Sequence, residues 1–234
     1  MRTSDPFSFF FNNLSLFGSK TAAHLEISFA SIGVAMAIAL PLGIWLGHLH
    51  RGSFIAITFA NFGRALPSLA VISIGIGILG IGFLNTMVAL VVLAGPVILT
   101  NAYVGVEQVD RDAVQAARAM GMTPFQVLRR VELPLALPLI FAGVRTATVY
   151  VVATATLATF AGGGGLGDII VNEASYGSGG VIAGSLTITV LAFAIDALLA
   201  LVQFRVIPSP LRRQGHRPRT DTVVEATWET GASR

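Results

Sequence analysis

The chain has 234 residues, of which 54% are apolar and 12% charged, with a net charge of +3 and no cysteine; its mean hydropathy is +0.76. So few polar residues cannot coat a soluble globule of this size, and the composition is that of an integral membrane protein. The lack of cysteine excludes disulfides and thiolate metal sites, and nothing in the small net charge points to nucleic acid as a partner.

The first twenty residues, MRTSDPFSFFFNNLSLFGSK, lack the basic cluster and continuous apolar core of an export signal. Phe7, Phe10, Phe11, Leu14 and Phe17 recur at helical spacing, with Ser8, Asn12, Ser15 and Ser19 on the other side. That pattern predicts an interfacial helix within 1–21, the alternative being a frayed apolar tail. A hydrocarbon core of about 30 Å takes roughly 20 apolar residues per helix, which cuts the chain into about five spans. They run from Ala22 to Gly47, Phe54 to Gly80, Gly82 to Val106, Leu133 to Phe160 and Val181 to Phe204. The fold class is therefore all-α, a polytopic helix bundle. Arg64 and Pro67 interrupt the second span, where a short helix followed by a longer one is expected.

Charge placement orients the bundle. Arg51, Arg111, Arg118, Arg129, Arg130, Arg205, Arg212, Arg213, Arg217, Arg219 and Arg234 fall on one side, against Arg2 and Lys20 on the other. The 107–134 connection and the C-terminus are thus expected in the cytoplasm and the N-terminus outside. The tail 206–234, with Pro208, Pro210 and Pro218, carries too little apolar surface to build a core and is expected to be disordered.

Between the third and fourth spans the chain changes character, to DAVQAARAMGMTPFQVLRRVELP. Asp110 or Asp112 can cap a helix in which Ala113, Ala116, Ala117 and Met120 share one face, opposite Arg111, Gln115 and Arg118. Gly121 suits the left-handed conformation that ends a helix, and Thr123 with Pro124 reads as the cap and first residue of a second one, to Val131. Pro134 is then expected to break the chain into the next span. A face of small side chains allows close backbone approach, so the hairpin is shaped to enter a groove on another protein. The plainer alternative is a solvated helical loop.

Gln115-Ala116-Ala117, three residues, Gly121, nine residues, Val131, one residue and Leu133-Pro134 resembles the cytoplasmic EAA loop of the permease subunits of ATP-binding-cassette importers, EAA-x3-G-x9-I-x-LP. Gln115 replaces the Glu of that pattern and Val131 the Ile. PSLA at Pro67–Ala70, ELPLALPLIFAGVRTATV at Glu132–Val149 and ATLATFAGGGGLGD at Ala155–Asp168 are similar to permeases for osmoprotectants such as glycine betaine, choline, carnitine or proline. The resemblance implies a type I importer permease (MetI-like) in the bacterial inner membrane. It also implies as partners a second permease subunit, two cytoplasmic ATPase subunits that receive the loop, an external solute-binding protein and a small-molecule substrate. An amino-acid or methionine importer would share the loop but not the GVRTATV and GGGGLGD stretches.

Motifs for other chemistry fail on context. The sole lysine, Lys20, follows Ser19, so no phosphate loop exists and ATP must be hydrolysed by a partner. Gly75-Gly77-Gly80 and Gly162-Gly164-Gly167 fit the dinucleotide spacing, but neither opens a helix after a soluble strand; packing and turn roles suit them better. Gly43 and Gly47 form a GxxxG of the helix-contact type. His24, His48, His50 and His216 show no metal-ligand grouping, so no metal, cofactor or catalytic group is expected. Glu26, Arg64, Arg145 and Asp196 could instead serve an ion-coupled carrier or a membrane-embedded enzyme, but Glu26 lies near a span end and no second acid joins Asp196 in a relay. At 1.5 Å per residue, Arg145 and Asp196 stand roughly 18 and 12 Å from the inner ends of their spans, which predicts an ion pair with Arg64 as the competing partner.

Overall fold

The computed structural model describes residues 5–50 and 65–207, together with Phe54, Thr58, Asn61 and Gly63. Arg64, most of the second span ahead of Ala65, and the tail beyond Ile207 lie outside the described residues, so the expectations placed on them are not addressed by the fold.

The elements are α1 (Pro6–Asn12), α2 (Leu14–His48), α3 (Ser68–Leu79), α4 (Phe83–Glu107), α5 (Arg111–Ala119), α6 (Pro124–Val127), α7 (Leu133–Thr154), α8 (Gly167–Val171) and α9 (Glu173–Val206). A π turn at Leu128–Glu132 joins α6 to α7, and a 3-10 segment follows α7 at Ala155–Ala161. Leu14–His48, Phe83–Glu107, Pro124–Ala161 and Glu173–Val206 are each long and apolar enough to cross a membrane by length and composition. The second expected span is described as continuous helix only from Ser68, where α3 leaves Pro67. Its 12 residues reach only about 18 Å.

Three expected boundaries are corrected. The first long helix begins at Leu14, not Ala22, and helical structure in the last reaches back from the expected Val181 to Glu173, across a break at Gly177 (φ +66). A cut by hydropathy stops at the first polar run, whereas a helix satisfies its backbone internally and continues through Ser15, Ser19 and Lys20. Nor does Pro134 break the chain. Helix runs without interruption from Pro124 to Ala161, because the wide turn at Leu128–Glu132 accommodates a ring that would otherwise clash with the carbonyl four residues back.

Helix α4 is the centre of the bundle, packed between α2 and α7. Its approach to α2 is close because Gly43 and Gly47 carry no side chain: a Cβ on Gly43 would stand 2.5 Å from the Leu99 carbonyl oxygen, and one on Gly47 2.8 Å from that of Tyr103. The GxxxG is thus a contact face of α2 on α4. On the other side, Gly143 of α7 lies directly against Asn101 of α4. The main core joins Ile27, Ile32, Ala35 and Ala39 of α2 to Leu90, Ala94, Ile98 and Tyr103 of α4, and to Ala147 and Val151 of α7. In lipid these contacts stabilise by close packing, since the surrounding tails are as apolar as the core.

Helix α1 is held, not frayed. Asp5 caps it, and Phe9 meets Phe17 and Tyr176 edge to face, with centroids 6.2 and 6.5 Å apart. Phe10 and Phe17 close the cluster at 4.8 Å. The expected apolar face divides accordingly. Phe17 and Phe10 pack inward with Ile169 and Ala183, whereas Phe7, Phe11 and Leu14 remain exposed.

Candidate functional site

The connection between α4 and α7 forms a compact hairpin at one end of the bundle. Asp110 is the cap, its carboxylate accepting from the Asp112 backbone N–H at 2.9 Å. Helix α5 ends on Gly121 at φ +80, and the Met122 N–H returns to the Ala117 carbonyl at 3.2 Å, beside Gly121 N–H to Arg118 at 2.9 Å. This pair of bonds is the Schellman closure that a left-handed glycine permits. Thr123 and Gln126 then cap α6 reciprocally.

The face that α5 turns outward differs from the one its alanine pattern gives. Val114 and Ala117 are buried, in a cluster with Ala102 and Val106 of α4, Val127, and Ala136 and Ile140 of α7. Ala117 retains 2% exposure; it serves this chain's own core and is not available to a partner. Gln115, Ala116, Ala119, Met120 and Phe125 are exposed. Met120 at 71% and Phe125 at 68% are large apolar side chains on a polar hairpin, the kind of knob that fills another protein's cleft. Ala113 is half-buried. The chain's own packing chose Val114 over Met120 because Val114 and Ala117, three residues apart, share the stripe above Val106.

Of the remaining loop residues, Val131 and Leu133 pack against that same cluster, while Pro134 lies in the first turn of α7. Between them stands a feature the sequence reading left without a role. Glu132 is fully buried, one carboxylate oxygen lying 2.5 Å from Nδ1 of His48 at the end of α2 and the other without a partner. A carboxylate inside so apolar a stretch needs an opposite group, and that need is the signal in the sequence that points to His48. The contact ties the root of the hairpin to α2.

Within the bundle, Arg145 of α7 donates from Nε and Nη2 to the two oxygens of Asp196 of α9 at 2.5 and 2.6 Å. Both side chains line an open cleft of about 680 Å³ between the two helices, with Thr146, Tyr150 and Gln203 among the other lining residues. At the far end from the hairpin, Lys20 donates to Asp168 at 2.5 Å, and Thr159 donates to the other oxygen of that carboxylate. These contacts gather α2, the 3-10 segment and α8 around a glycine run in which Gly162, Gly164 and Gly165 all have positive φ. The run is a turn, with no phosphate cradle after a strand.

Residues 39–208 match the protein family described as binding-protein-dependent transport system inner membrane component. The chain is 39% identical over 194 residues to the glycine betaine/carnitine/choline transport system permease protein OpuCB of Bacillus subtilis, covering 82% of this chain and 89% of that one. It is 32% identical to the osmoprotectant import permease protein OsmW of Salmonella typhimurium, covering 89% and 100%. Among solved structures, a chain of the MetNI methionine ABC transporter in inward-facing conformations is similar in fold. Its TM-score is 0.72 at 24% identity, over 83% of this chain and 98% of that one.

Proposed function

The chain belongs to the binding-protein-dependent transport system inner membrane components, and from that premise we propose that it is the permease subunit of an ATP-driven osmoprotectant importer. Membership makes it a multi-pass transport subunit and not an enzyme. The substrate class, trimethylammonium solutes such as glycine betaine, carnitine and choline, is carried by one observation: the relatives named for those solutes align over more than four fifths of this chain.

The proposed partners follow from the mode of transport. A separate cytoplasmic ATPase binds the outward knob of Ala116, Ala119, Met120 and Phe125. A second permease subunit, identical or not, completes the membrane region, and an external binding protein delivers the solute. The arginine bias toward the hairpin side supports a cytoplasmic location for α5, α6 and the C-terminus, with the Lys20–Asp168 end outside. Movement of the knob by the ATPase is transmitted through the rigid Val114–Ala117 packing to α4, and through the π turn and His48–Glu132 to α7 and α2.

The reading is tested by reconstituting the purified complex in liposomes with ATP inside and the binding protein outside. Uptake of labelled glycine betaine, carnitine, choline, proline and methionine is then compared. Accumulation of the betaine class supports the proposal; accumulation of methionine alone replaces it with the amino-acid importer.

A further inference from the structure

The cleft between α7 and α9 raises a physical problem. Arg145 and Asp196 lie well inside helices that span the membrane, yet their side chains are 38% and 32% exposed. Charges exposed to that degree do not face hydrocarbon; they face water, a polar solute or another protein. The lining is also graded in chemistry. Ala142, Thr146, Val149, Tyr150 and Ala153 form one stripe of α7, and Asp196 and Gln203, seven residues apart, form one stripe of α9. The opposite stripe of α7, Ile140, Gly143, Ala147 and Val151, is sealed in the core. Helix α7 therefore divides the bundle into a closed apolar side and an open side that carries the charged pair.

We propose that this cleft lines the solute path and that Arg145 and Asp196 form a site for a zwitterion, with the guanidinium taking the carboxylate and Asp196 taking the quaternary ammonium. This rests on the betaine-class reading above and goes further, because it assigns residues and a rank order of substrates. The fork of Arg145 is already aligned for two parallel bonds to a carboxylate, the geometry it makes with Asp196. The exposed ring of Tyr150 borders the same cleft and offers a π face to the trimethylammonium group. In the absence of solute the two charges satisfy each other. A zwitterion that inserts between them replaces each half of the pair with an opposite charge, so neither is orphaned. Choline, a cation without a carboxylate, satisfies Asp196 alone and leaves Arg145 without the carboxylate it now holds, which disfavours it. The path consequently prefers glycine betaine and carnitine over choline.

The test uses the full complex in proteoliposomes and exploits the absence of cysteine from the chain. Single variants Thr146→Cys and Ala153→Cys should react with a charged thiol reagent, more slowly when glycine betaine is present, while Leu198→Cys and Leu201→Cys on the outer surface of α9 should not. Arg145→Gln should reduce betaine and carnitine uptake about tenfold or more, the loss of one charged hydrogen-bonded contact, and choline uptake much less, so that the preference narrows or inverts. Because that variant orphans Asp196, Arg145→Gln with Asp196→Asn is measured beside it and should lose the betaine preference without an unpaired charge. Unlabelled cysteines at 146 and 153, or equal loss of all three solutes in both variants, would overturn the proposal and leave the pair a helix-to-helix or subunit contact. A wild-type complex that transports none of these solutes would instead defeat the betaine-class reading, and the labelling alone would still report whether the cleft is wet.

Discussion

Helices α4 and α9 have nearly the same hydropathy, 2.1 and 2.3 over their most apolar windows, yet half of the window in α4 is buried within the chain and only 6% of that in α9. Hydropathy records compatibility with lipid and is silent on position in the bundle. Position is set by small residues. Helix α4 brings Ala102 and Gly105 to partners that are themselves small, Gly43 and Ala136, and backbones approach until van der Waals contact is continuous. Helix α9 presents Phe193, Leu198, Leu201 and Phe204 outward. It is fastened by the aromatic cluster at its start and by Asp196 near its middle. One helix makes the fold; the other offers a surface to lipid and to the rest of the assembly.

Substitutions sharpen that contrast. The largest effect is expected for Ala117→Glu, which places a carboxylate in the extension of the α4 core at the hairpin. An unpaired buried charge costs several kcal/mol, so the isolated chain should lose thermal stability even without its ATPase; an unchanged melting temperature would return Ala117 to the partner surface. Gly47→Leu comes next. Overpacking against the Tyr103 carbonyl should cost about 1–3 kcal/mol and lower the yield of monodisperse protein. Gly121→Val should cost about 1–2 kcal/mol, the penalty of a left-handed backbone for a residue with a Cβ. It re-aims the hairpin, so ATPase copurification should fall only partly while uptake falls further. Least affected should be Leu198→Ala on α9, within about 0.5 kcal/mol in the isolated chain. A loss comparable to that of Gly47→Leu would mean that α9 is as integral to the fold as α4.

Much of this was legible in the residues, and what was not has physical causes. The hairpin could be read because caps and helix ends are local: Asp110, Gly121 and Thr123-Pro124 act within one turn of themselves. Arg145 and Asp196 could be brought within side-chain reach of each other by counting rise per residue. The facing of α5 could not, since an alanine pattern allows two stripes and the choice was made by Val106 and Ile140, distant in sequence. His48 with Glu132 and Lys20 with Asp168 were hidden for the same reason, each pair joining segments far apart along the chain. Helix ends were misplaced because polar residues that stop a hydropathy window do not stop a helix.

In the proposed ATP-driven importer, force enters through the exposed knob of the hairpin. Its most direct test is betaine-class uptake by reconstituted complexes of wild type and Met120→Glu, each with its ATPase, with and without internal ATP. The Met120 side chain is exposed in the isolated chain, so the variant should fold normally, lose the ATPase on copurification and lose uptake about tenfold or more, as for a truncated hot-spot contact. Wild type should accumulate solute only with ATP inside. Uptake driven by a proton or sodium gradient without ATP, or full assembly and transport by Met120→Glu, would contradict it.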